Sequence, residues 1–146
     1  MRDKAHNILV KRAISPVSVA DNTAAVGQII DRLGYESLTY IINTGSIADV
    51  DATFTVLLEE SDAANMSGAV AVADADMVSQ TAGVLPETAA SFQFDADDQV
   101  RKLGYVGNRR YTRMTITPAL NASAALFSAV AVLGHPNSVP VTQAAS

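Results

Sequence analysis

The stretch ATFTVLLEE, residues 52–60, decides the fold class. It places Phe54, Val56 and Leu58 on one side of an extended chain and Thr53, Thr55, Leu57 and Glu59 on the other. Side chains alternate across a strand, so this period marks a strand with one face buried and one face wet. SLTYIIN (37–43) repeats the pattern, with Leu38, Tyr40 and Ile42 against Ser37, Thr39 and Asn43; Ile41 is the exception. YTRMTIT (111–117) sets Thr112, Met114 and Ile116 opposite Tyr111, Arg113, Thr115 and Thr117. Further strands are expected at 8–14, 24–30, 90–95, 99–106 and 125–133. Residues 66–80 admit a strand or an alanine-rich helical turn, and 69–73 is read as strand. Many short strands without a long amphipathic helix predict an all-β fold, an antiparallel β-sandwich of jelly-roll type with extended terminal arms.

Turn chemistry divides these strands. Gly107-Asn108 lies between two strand patterns and is expected to form a tight hairpin joining 99–106 to 109–117. Residues 1–133 are expected to form one sandwich domain, with 1–20 a candidate arm, and 134–146 an extended C-terminal arm. Proline cannot donate to a sheet ladder, and the last segment carries Pro136 and Pro140. Such a segment is either a disordered tail or an arm that something else holds, a neighbouring subunit being the simplest support.

Composition narrows the chemistry. The chain has 146 residues and no cysteine, which excludes disulfides, thiolate metal sites and cysteine nucleophiles. The N-terminal MRDKAHNILVKRAI sets charges too close to its apolar run for a secretory signal. No stretch nears the roughly 20 apolar residues of a membrane helix. A soluble protein made in a cytoplasm is the expectation.

The net charge of −5 is strongly segregated. Residues 33–100 hold twelve Asp or Glu and no Lys or Arg, whereas 101–146 hold five bases and no acid. The blocks can be neutralised within one fold or between subunits. Three arginines, Arg109, Arg110 and Arg113, crowd around Tyr111. If the hairpin forms, Arg101 or Lys102 approaches Arg110 or Arg113 across the ladder, with Tyr105 nearby. Such a patch reads as a solvated strand face, a protein contact or a grip for single-stranded nucleic acid. The acidic chain, with a pI near 4.8, argues against nucleic acid.

No motif supplies a catalytic residue or binds a cofactor. His6 and His135 lie near opposite ends, outside any recognisable motif, and there is no G-x-S-x-G elbow or phosphate loop. The pairs Asp49/Asp51, Asp74/Asp76 and Asp95/Asp97/Asp98 offer oxygen ligands for calcium. They lack the EF-hand spacing, and turn capping is the better reading, so no metal is assigned.

Three segments, GYESLTYIINTGSIADVDATFTVLLEESD (34–62), RKLGYVGNRRYTRMTITPA (101–119) and ASAALFSAVAVLGHP (122–136), resemble small virion structural proteins of tailed bacteriophages. The resemblance covers about two thirds of the chain and rests on strand phrasing rather than on a short motif. It implies a non-enzymatic cement or decoration protein on the capsid exterior, with the major capsid protein and further copies of itself, as dimer or trimer, for partners. The interaction residues expected from the sequence are Arg101, Lys102, Arg109, Arg110, Tyr111, Arg113, His135, Pro136 and Pro140. A tail or adsorption protein with a carbohydrate-binding sandwich is the alternative, weakened by the lack of tryptophan.

Overall fold

The computed structural model describes residues 2–146 as two antiparallel sheets packed face to face. One sheet has the order β1 (Ile8–Val19), β11 (Ala125–Pro136), β4 (Tyr35–Ile47), β9 (Val100–Tyr105), β7 (Met77–Ser79). The other is built on β10 (Tyr111–Ala119) paired with β5 (Thr53–Ser61). Its margins are two-residue strands: β2 (Ala25–Val26) and β3 (Ile30–Asp31) beside β10, β6 (Val70–Ala71) and β8 (Phe92–Gln93) beside β5. The long strands alternate between the sheets along the chain, β4 to β5 and then β9 to β10 to β11. That winding is the jelly roll expected from the sequence.

The alternation read from the sequence is the alternation of the core. Leu38, Tyr40 and Ile42 on β4 face Phe54, Val56 and Leu58 on β5 and Met114 and Ile116 on β10, all buried. Strand β11 contributes Ala125, Phe127, Ala129, Ala131 and Leu133 to the same interior. Phe54 stacks on Phe92 with ring centroids 4.8 Å apart, and Phe127 meets both edge-on at 5.7 and 5.9 Å. Ile41, the exception in the pattern, turns outward on β4 and is only half-buried.

Three expectations are corrected. The hairpin at Gly107-Asn108 does not form: β9 pairs with β4 and β7, while β10 pairs with β5 in the opposite sheet. Residues 106–110 instead cross from one sheet to the other, and the two pack about 10 Å apart. The proposed approach of Arg101 or Lys102 to Arg110 or Arg113 across one ladder falls with it. The expected strand 24–30 is broken at Gly27, whose N–H donates to the Met114 carbonyl at 2.8 Å, while the next N–H, of Gln28, donates to Ala13 on β1, also at 2.8 Å. These two bonds stitch the sheets together along one side. The expected strand 90–95 is shortened to β8, because a short helix, α1 (Pro86–Ala90), starts on a proline that fits its first turn.

Both chain ends are tied to the sandwich. Residues 8–19, within the candidate N-terminal arm, form edge strand β1, where the register shift between Ile14 and Val17 spans Pro16 and spares the ladder a missing donor. Strand β11 continues to Pro136, and the chain then returns along the outer edge of β1. Val141 N–H donates to His6 O at 2.8 Å, and the Gln143 amide bonds both N–H and C=O of Val10, at 3.0 and 2.9 Å. A side-chain amide thus stands in for a neighbouring strand and covers an edge that would otherwise invite pairing.

Candidate interaction surface

The arginines of the C-terminal block are held within their own fold. Arg113 on β10 lies directly opposite Glu59 on β5, with Nη2 3.1 Å from Oε2. Arg110 forks onto both oxygens of Asp31 at 2.8 and 2.9 Å, and its guanidinium lies 4.9 Å from the centroid of the Tyr111 ring. Arg109 pairs with Asp62. Arg101 turns toward α1, where Nη1 donates to Ala89 O at 3.3 Å and Nη2 to Gln99 Oε1 at 2.9 Å. The acidic middle and basic end of the sequence therefore meet within one chain at Glu59 and Asp62.

Behind these pairs lies a buried polar knot that the basic patch did not suggest. The Tyr105 hydroxyl donates to Glu60 at 2.5 Å and accepts from Arg109 N–H at 3.1 Å. Arg32 lies 4.7 Å from the centroid of the Tyr105 ring and donates to the carbonyls of Arg109 and Gly107, at 3.0 and 3.1 Å. Tyr40 and Thr112 share a buried hydrogen bond of 2.7 Å between the sheets. Burial and the neighbouring Glu60 push the Tyr105 phenol well above its ordinary value, so it acts as a fixed donor. Glu60 was legible in one respect: it continues the inward series 54, 56, 58, and a carboxylate on a core face demands a partner.

Asp31 carries a pH signature. Its hydrogen bond from Arg110 comes first, with burial opposing it, and together with the Leu33 N–H and the Arg110 charge it holds the carboxyl below the usual range. The folded value is depressed, so the stabilisation is present above about pH 4 and fades as pH falls through the lowered value. Arg110→Gln should flatten the pH dependence of thermal unfolding between about pH 5 and pH 2 relative to the parent. An unchanged profile would show that the pair is not linked to folding.

The remaining sequence candidates gather elsewhere. Lys102, His135 and Pro136 line a groove on the outer face of the five-stranded sheet, made of two hollows of about 420 and 310 Å³. The hollows share Ser37 and Thr39, and Gly134 and Gly104 keep their floors low. His135 Nδ1 bonds Ser37 Oγ at 3.0 Å. Lys4, at the mouth of the first hollow, and Lys102, in the second, belong to no ion pair among the described residues. Among the described residues, no Asp or Glu lines either hollow. Pro140 lies outside the groove, over the start of β1 with Val141 and Gln143.

The opposite ends of the strands are acidic. Loops 20–24, 48–52, 94–99 and 120–124 carry Asp21, Asp49, Asp51, Asp95, Asp97 and Asp98 and no Lys, Arg or His. Three of these cap backbone amides: Asp21 that of Thr23, Asp49 those of Asp51 and Ala122, and Asp97 that of Ile47. Among the described residues no three His, Asp or Glu are placed to hold a metal ion. No helix there is long and apolar enough to cross a membrane.

No family model matches the chain, and no curated protein does. Among solved structures, the chain is similar to the PBSX exported protein XepA, with a TM-score of 0.54 and 15% identity over 94% of this chain and 40% of that one. It is also similar to the CBM22-1–GH10 modules of Clostridium thermocellum endo-1,4-beta-D-xylanase 10B, with a TM-score of 0.44 and 12% identity over 88% of this chain and 22% of that one. The chain thus spans less than half the length of either protein. At 15% identity the likeness to XepA is one of fold.

Proposed function

We propose that this protein is a non-enzymatic virion structural protein of a tailed bacteriophage, a cement that binds the outside of the capsid and stabilises contacts between major capsid subunits. The observation that carries the proposal is the division of its surface. A rigid jelly roll presents a carboxylate-free groove near one end and a base-free set of loops at the other, while the ionisable groups inside bond one another. Glu60, Arg32 and Arg110 have partners in the fold and line neither hollow of the groove. The resemblance of three segments to small virion proteins supports the phage assignment, as does a fold shared with a PBSX exported protein. Weak contacts repeated around a symmetric shell become strong through avidity. Heads assembled without this protein should come apart at lower temperature, and at lower ionic strength, than complete heads. Equal resistance to both would overturn the cement role.

One feature favours a carbohydrate-binding adsorption protein as a second reading: Ser37 and Thr39 place hydroxyl groups within the groove. Tyr105 lines it but is buried, which leaves the exposed His135 imidazole as the one aromatic ring open to a sugar among the described residues lining the groove. Selective retention on a glycan array would favour this reading over the cement role.

A further inference from the structure

Two sets of charged side chains that the fold leaves without an ion pair among the described residues suit each other. Lys4 and Lys102 border a groove without carboxylates. Asp51 and Asp95 belong to the base-free loops, and their carboxylates take no part in the hydrogen bonding of the fold. Apolar side chains match as well as charge. Val78, Val106 and Val139 are exposed along the groove, and Val50, Phe94 and Leu120 are exposed among the acidic loops.

Within one copy the two sets do not meet. Lys4 borders the hollow over Ser37 and Thr39, early in β4, and the acidic loops lie beyond Ile47, where β4 ends, roughly 30 Å away at strand rise. Lys102, opposite Ile41 on β4, lies nearer to loop 94–99 but forms no ion pair with its aspartates. Exposed charges separated by more than the Debye length of about 8 Å are screened at physiological salt, so attraction between the two patches is realised only at contact. A second molecule can make the contact that the fold does not.

We infer that the acidic loop end of one copy docks in the carboxylate-free groove of another, with Asp51 and Asp95 facing Lys4 and Lys102. This rests on reading the protein as one built for assembly, and it names the partner that the groove receives. The two patches differ, so the contact is heterologous and continues from copy to copy instead of closing on a two-fold axis. The charge segregation of the sequence is then resolved twice: the C-terminal arginines are matched within the chain, and the loop aspartates between chains.

Sedimentation velocity on the full chain tests this, at about 0.05 M and about 0.5 M salt. The parent should associate at low salt and dissociate at high salt. Lys4→Glu with Lys102→Glu, or Asp51→Lys with Asp95→Lys, should each weaken association on the order of 100-fold, because like charges then face each other. An equimolar mixture of the two double variants should regain it, since every contact in the mixture again joins opposite charges. Recovery on mixing also shows that both variants are folded. A parent that stays monomeric at low salt, variants that associate as the parent does, or a mixture that regains nothing would each overturn the inference. If the parent stays monomeric at low salt yet binds and protects phage heads, this contact fails while the cement role stands. If the copies associate as described but never bind heads, the cement role fails and the contact stands.

Discussion

Replacing Phe54 by alanine is expected to lower the unfolding free energy by about 3–5 kcal/mol, the largest loss of any single substitution considered. Phe54 is buried at the centre of the aromatic trio, stacked on Phe92 and edge-on to Phe127. These rings join β5, β8 and β11, so truncation opens a cavity shared by both sheets. Stacked and edge-on pairs add about 0.5–1.5 kcal/mol beyond the area that they bury. A domain of this size has about 5–15 kcal/mol in all, and the midpoint of thermal unfolding should fall by roughly 10 °C. Phe54→Leu refills most of the volume and should lose less than half as much. A loss below about 1 kcal/mol for the alanine variant would mean that the three rings are not the centre of the core.

Gly27→Val should be nearly as damaging, by about 3 kcal/mol, for a different reason. A Cβ at residue 27 would stand 2.4 Å from the Met114 carbonyl oxygen and 2.9 Å from that of Ala13. Both atoms are backbone, one in each sheet, so neither can move without disturbing its ladder. The expected outcome is the detachment of β2 and β3 from β10. Amide exchange would report it as lost protection at residues 27 and 28, with the β4–β11 pairing still protected. Protection retained at both amides would show that the seam between the sheets tolerates a side chain.

The sequence announced the strands that have one wet face and one dry face. β4, β5 and β10 follow the expected alternation, because each lies inside a sheet and buries one side against the other sheet; Thr115 on β10, expected on the wet face, is the departure and is buried where β2 pairs alongside. The marginal strands β2, β6 and β8 lie within the expected strands 24–30, 69–73 and 90–95, but their lengths were not legible and β7 was missed, since two or three residues cannot display a period and their pairing is set by the partner strand. The false hairpin at Gly107-Asn108 has a similar origin. Leu103 and Tyr105 face the core from one sheet and Thr112 and Met114 from the other, and an inward face reads the same in either. Local pattern fixes which side of a strand is buried, and the connection alone determines which sheet it joins.

The basic patch was visible, but its destination was not. Arg109, Arg110 and Arg113 are close in sequence and end on Asp62, Asp31 and Glu59, brought to them from two other segments, the end of β5 and β3. Lys102 and His135, more than thirty positions apart, converge on one groove because β4 joins β9 to β11. Lys4 escaped notice for the same reason: only the fold shows that the start of the chain borders that groove.

The account is tested most directly by adding the purified protein to expanded phage heads assembled without it, and then following retention on the shells and the temperature at which they break. It predicts saturable retention at a fixed number of copies per shell, with a rise in breakage temperature that tracks occupancy. Heads that retain none of the protein, or that retain it and break at the same temperature as bare shells, would contradict it.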